Sequence, residues 1–92
     1  MSDPLFPLGH VVITPGAAAA FEARGDGRLA FLTKHVCLDP GDLGAHDIRE
    51  NQLSLEQGFR ILSVYRLTDD ARIWIITEAD RTSTCILLPS EY

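Results

Sequence analysis

Glu78, Asp80, Arg81 and Thr84 lie within seven residues of one another and combine the types that proton transfer at a phosphate ester needs. An acid, a base and a cationic clamp at one sheet edge suit RNA cleavage, where the charge of a pentavalent phosphate must be stabilised. Glu78 ends a β-rich run and faces Ser83 across the next turn, and Arg81 sits in that turn within reach of either carboxylate. The competing reading is a solvated turn held by a surface ion pair.

Metal chemistry has weaker support. With Asp39 as position 1 of a calcium loop, Gly44, Asp47 and Glu50 fall on positions 6, 9 and 12, but Gly41 and Leu43 occupy positions 3 and 5 and bring no side-chain oxygen. The segment reads as an ordinary acidic loop. His10, His35, Cys37 and His46 fit no zinc spacing, and His35 reads as a helix-end histidine beside a buried thiol. The chain has no glycine-rich phosphate loop, nucleophile elbow or Cys-x-x-Cys pair. No cofactor and no metal are expected.

The elements that must position these residues can be read from periodicity. Residues 1–8 are Pro-rich and extended, and Gly9 to Thr14 is a short β-branched strand. Thr14-Pro15 is a helix start and Gly25 a stop. Asp26 caps a second helix near Gly27 to Val36, with Leu29, Leu32 and Val36 as its apolar stripe and Lys34 and His35 suited to its C-terminal dipole. Leu38 to Ala45 is a loop, and Asp47 opens a third helix over Ile48 to Gln57 with Gly58 as its stop. Arg60–Leu67, Arg72–Glu78 and Ser83–Leu88 are three strands joined by two hairpin-length linkers. The expectation is one α+β domain over residues 1–92. It is an antiparallel β-meander of three C-terminal strands plus a short N-terminal strand, packed on one face by two or three helices.

Turns centred on Asp69-Asp70 and Asp80-Arg81 give a register, and the register gives two faces. One carries Leu62, Val64, Ile73, Ile75, Ile86 and Leu88 and faces the helices. The other places Tyr65, Trp74 and Leu87 in one row, Ser63, Ile76 and Cys85 in the next, and Ile61, Glu78 and Ser83 in the third. This second face is too apolar for open solvent and too polar at its Glu78 end for simple core. Residues 1–8 and Asp47–Gln57 fold over it, or a second copy does, or it binds a ligand or partner. In the last case Tyr65, Trp74, Leu87, Ile76 and Asp80 form the binding surface.

Composition narrows the partner. The chain has 92 residues, 46% of them hydrophobic, and a net charge of −5. Nucleic-acid binding through phosphates lacks its main driving force. No run approaches a membrane span, and the first residues lack a basic, then apolar, secretory pattern, so a cytoplasmic protein with reduced Cys37 and Cys85 is expected.

Two further likenesses bear on function. The order of helices followed by an antiparallel sheet is similar to barnase-like ribonucleases and toxins at the level of fold alone, although no histidine lies in the meander. Trp74-Ile-Ile-Thr-Glu-Ala-Asp-Arg81 with Thr84 and Leu87-Leu-Pro89, the Thr14-Pro15-Gly16-Ala17 helix start and the Gly41-Asp42-Leu43 loop resemble a family of short, uncharacterised bacterial proteins of plasmids and mobile elements. These are often labelled "plasmid-related protein" or "type I restriction endonuclease subunit M". The resemblance spans Leu5 to Tyr92 and implies a mobile-element setting without catalytic residues, although relatives carry Trp where this chain has Pro40 or Gly41. A methyltransferase activity is excluded by size, because its cofactor domain and Gly-rich turn have no room here. The expected function is a small non-enzymatic interaction module. The alternatives are an RNA-cleaving domain using Glu78 and Arg81, and a structural homodimer.

Overall fold

Thr14 ends a strand and begins a helix within one residue. Its hydroxyl accepts the Ala17 N–H at 3.3 Å, and Pro15, which has no N–H to satisfy, takes the first helical position. The computed structural model of the chain describes residues 4–68 and 71–92. Strand β1 is His10–Ile13, followed by helices α1 (Pro15–Ala23), α2 (Arg28–Val36) and α3 (Ala45–Gln57), strands β2 (Ile61–Thr68), β3 (Ala71–Thr77) and β4 (Ser83–Leu87), and a short 3-10 turn over Pro89–Glu91. The strands form one sheet in the order β1-β4-β3-β2. The α+β class is as expected, but the sheet is mixed, because β1 lies parallel to β4 while the meander is antiparallel. Three helices separate β1 from the meander and return the chain to the start of the sheet, a path that a parallel pairing requires.

The register of the meander holds for one hairpin and slips for the other. Trp74 pairs with Leu87 and Ile76 with Cys85, as the second turn predicts. Thr68 pairs with Ala71, which agrees with a connection at residues 69–70; the expected Asp69-Asp70 turn itself lies outside the described residues. Between Arg66 and Thr68 the ladder shifts by one, so Tyr65 pairs with Ile73 and Val64 with Trp74. The extra residue, Leu67, shifts every β2 position that precedes it by one against β3, and so to the opposite face from the one expected. Ile61, Ser63, Tyr65 and Leu67 are therefore buried on the helical side with Ile73, Ile75, Thr77, Thr84 and Ile86. Leu62 and Val64, expected there, lie on the reverse face, and Tyr65 leaves the row of Trp74 and Leu87.

Helices α1 and α2 cover the helical side. Phe21 packs edge-on to Phe31, and Phe31 against Tyr65, at ring-centroid distances of 5.7 and 5.6 Å. Each fully buried Phe or Ile here stabilises by about 2 kcal/mol before entropy is charged. The buried stripe of α2 is Phe31, Leu32, His35 and Val36, and Leu29 is 74% exposed. Leu29 shares a spacing with Leu32 and Val36, but the adjacent positions 31/32 and 35/36 centre the stripe elsewhere.

Helix α3 starts at Ala45, two residues before Asp47, and lies along β2 rather than over a sheet face. Asn51 accepts the Leu62 N–H at 3.2 Å and donates to the Leu62 carbonyl at 2.6 Å, so one side chain substitutes for a neighbouring strand. The Asp42 N–H caps the Val64 carbonyl at 2.9 Å. Gly41 permits this approach, since a Cβ there would stand 2.4 Å from that carbonyl. The β2 edge is thus closed by side chain and loop.

Candidate functional site

The hairpin that carries Glu78, Asp80, Arg81 and Thr84 turns these side chains in different directions. Arg81 has φ 60° and sends its guanidinium to backbone carbonyls, at 2.7 Å to Phe59, 3.1 Å to Ser54 and 3.1 Å to Glu78. It also lies 5.6 Å from the centre of the Phe6 ring. A cation at the last turn of α3 satisfies orphan carbonyls and complements the helix dipole. Asp80 accepts from the Thr82 hydroxyl and N–H at 2.6 and 3.1 Å, and these bonds hold its carboxyl below the usual range. Glu78 is exposed, and among the described residues Arg81 forms no ion pair with Glu78 or Asp80. Thr84 is fully buried and donates to the Leu8 carbonyl at 2.7 Å. The four residues share a hairpin without converging on a common point.

The helical side of the sheet instead contains a polar chain that sequence reasoning missed. His35 is 0% exposed, with Nδ1 2.6 Å from the Ser63 hydroxyl and Nε2 2.8 Å from the Thr77 hydroxyl. Thr77 lies 2.7 Å from Thr84, whose proton goes to Leu8. Each proton can be assigned from the end that admits one answer. A carbonyl only accepts, so Thr84 donates to Leu8 and receives from Thr77. Thr77 then receives from His35 Nε2–H, and Nδ1 accepts from Ser63. The imidazole is the neutral Nε2–H tautomer. Burial, with the Arg81 guanidinium adding to it, pushes its pKa down to about 4, so His35 does not serve as a cation for the α2 dipole. Ser63, His35 and a hydroxyl acceptor have the order of a nucleophile relay, but all three are sealed from solvent and function as a satisfied polar core. The signal was present in the sequence as hydroxyls at positions 63, 77 and 84, which become core positions only once the bulge sets the register.

Residues 4–9 seal this chain from above. Phe6 packs edge-on to the His35 ring at 5.2 Å, and the Leu5 N–H bonds to the Val36 carbonyl at 2.8 Å. The extended segment therefore covers the helical side, so of the three readings of the reverse face the one that lays residues 1–8 over it does not hold for residues 4–8.

The reverse face presents Leu62, Val64, Trp74, Ile76, Cys85 and Leu87. The C-terminal tail crosses part of it. Tyr92 stands 5.4 Å from Trp74, and its hydroxyl receives a bond from Arg60 at 3.0 Å. The tail is anchored by Glu91, which accepts from Thr14 and, at 3.1 Å, from the Gly16 N–H at the start of α1. Ile76 and Leu87 are buried, while Leu62, Val64, Trp74 and Cys85 are half-exposed. Arg66 and Arg72 flank the face and share Asp42, at 3.8 and 2.9 Å. That pairing ties the acidic loop to the sheet through Asp42. No cluster of three or more His, Cys, Asp or Glu suited to a metal exists among the described residues. No disulfide joins Cys37 to Cys85. No described helix is long and apolar enough to cross a membrane.

Comparison of the chain with protein-family models, curated proteins and solved structures finds no match.

Proposed function

We propose that this chain is a small non-enzymatic interaction module that engages a partner protein through the sheet face opposite its helices. The observation that carries this reading is the apolar strip of Leu62, Val64, Trp74 and Cys85, half-exposed with the C-terminal tail crossing it at Trp74. Aromatic and aliphatic side chains in such a strip are the usual anchors of protein recognition. Arg60, Arg66 and Arg72 flank it, with Asp42 paired to the last two and Glu78 and Glu91 near Cys85, which favours a partner with an apolar centre and a rim of mixed charge. A cytoplasmic, mobile-element setting belongs to the same proposal. RNA cleavage through Glu78 and Arg81 has less support, because Arg81 is committed to three carbonyls.

The test places a photo-crosslinking residue at Val64 and, as a control, at exposed Glu56 on α3. The expected result is one discrete adduct from Val64 only, lost in Trp74→Ala when thermal unfolding shows that this variant is folded. Equal labelling from both positions, or an adduct indifferent to Trp74, overturns the assignment. An adduct between two copies moves the surface to the homodimer reading.

A further inference from the structure

The two edges of the sheet are treated differently. The β2 edge is closed by Asn51 and Asp42, whereas among the described residues β1 has β4 as its only strand neighbour. His10 and Thr14 donate inward to Thr82 and Ile86 at 2.9 and 3.0 Å. Alternation along a parallel ladder then turns the N–H and C=O of Val11 and Ile13 outward. This edge has none of the usual protection by charge, proline or bulge within its span.

The segment that carries it is uncharged as well, with the Glu91 carboxylate bonded to Thr14 and Gly16 at its far end. From Pro4 to Phe21 the chain contains no Asp, Glu, Lys or Arg, although charged residues make up 23% of the whole. Beside the edge, α2 contributes Leu29, Leu32, Thr33 and Val36 to an apolar groove of about 340 Å³ shared with Phe6 and Val11. Four of the large exposed apolar residues gather here, Leu5 at 52%, Val11 at 40%, Val12 at 42% and Leu29 at 74%.

We infer that the β1 edge pairs with the β1 edge of a second copy, antiparallel about a two-fold axis through Val12, joining two sheets into one of eight strands. Two features select a second copy as the occupant. The first is charge. Copies each bearing −5 repel one another, and this strip, uncharged from Pro4 to Phe21, lets two of them meet antiparallel with their Glu91 carboxylates at opposite ends of the paired strands. The second is self-complementary hydrogen bonding. A two-fold at Val12 pairs Val11 with Ile13 of the other copy and satisfies four outward groups in each chain. A two-fold at Ile13 brings Val11 against Pro15, which has no N–H, and one at Val11 brings Ile13 against Gly9, outside the strand. Four residues of strand pairing fall short of the roughly 800 Å² per partner that a stable interface buries. Exposed Leu29 and Leu5 add apolar area beside the strand. Val12 pairs with Cys85 at the margin of the reverse sheet face, but Val11 and Leu29 line the groove on the helical side, so the two assignments are tested at different residues.

The experiment is sedimentation equilibrium of the full chain from micromolar to millimolar concentration, with Val11→Pro, Leu29→Lys and, as a control, Leu53→Lys. The expected result is a monomer–dimer equilibrium weakened roughly tenfold or more by the first two changes and unmoved by the third. Val11→Pro removes an outward N–H and leaves the bonds to β4 intact. In a Cys37→Ser, Cys85→Ser background, Val12→Cys is expected to form a disulfide-linked dimer on mild oxidation and Val11→Cys is not. Only the former faces itself across the axis, at the close Cα spacing that a disulfide needs. A monomer throughout, a dimer insensitive to Val11→Pro and Leu29→Lys, or equal cross-linking at both positions overturns the inference.

Discussion

Acidification tests the buried imidazole. In the folded chain His35 is neutral and its pKa is pushed down to about 4, against the ordinary 6.5 that it recovers on unfolding. Above the unfolded value both states carry the neutral ring, and the group contributes no pH dependence. Below it the unfolded chain takes up a proton that the folded chain refuses, so stability falls with pH until the folded value is reached. At about 1.4 kcal/mol per pH unit, the interval between the two values removes roughly 3 kcal/mol. That is a large share of the roughly 5–15 kcal/mol that holds a small domain folded. The structure gives the penalty a physical basis. Protonated Nδ1 becomes a donor facing the Ser63 hydroxyl, while Nε2–H, Thr77 and Thr84 are already committed in sequence to the Leu8 carbonyl.

The assay is urea unfolding at half-unit steps from pH 7.5 to 4.5, with His35→Gln as the comparison. That variant is less stable throughout, but its stability is expected to vary with pH by well under half as much as the wild type. The carboxyls of Asp26, Asp80 and Glu91 do not confuse the window. Arg28, Thr82 and Thr14 respectively hydrogen-bond them and hold their pKa values below the usual range, so their loss of stability begins only near the ordinary values of 3.8 to 4.5 and is shared by His35→Gln, which cancels it in the comparison. A wild-type profile flat from pH 6.5 to 4.5, or the same slope in His35→Gln, refutes the reasoning.

The other predictions concern the groups that fix the site. Thr84→Val leaves Thr77 without an acceptor and the Leu8 carbonyl unpaired, and is expected to cost about 1–3 kcal/mol in urea unfolding, with Thr84→Ser recovering much of the loss. Asn51→Ala uncovers the Leu62 N–H and C=O on the β2 edge; a loss of about 1–2 kcal/mol and faster amide exchange at Leu62 are expected. Arg81→Ala frees three carbonyls at the junction of α3 and the hairpin, so the thermal midpoint falls by several degrees while the Val64 photo-adduct is retained below that midpoint. If the midpoint is unchanged, the clamp is decorative.

The α+β class follows from apolar periodicity, and so do the three helices. Thr14-Pro15, Asp26 and Gly58 mark their ends through chemistry that acts within a few residues, since a cap or a left-handed terminus is a local property. The β3–β4 pairing was also legible, because its turn is short and its ladder regular. The parallel course of β1 was not, since either sheet edge accepts the strand and only the packing of α1 and α2 selects one. The face that Tyr65 occupies depends on a bulge beside Leu67, and no single residue announces it. Leu67 packs against the core at the cost of one ladder step, and that non-local packing carries Ser63 to the imidazole of His35. Local sequence specifies hydrogen bonds that close within a turn. Register, burial and the partners of a histidine 28 residues from its serine are set by the summed packing of side chains distant in the chain, which the tertiary structure alone decides.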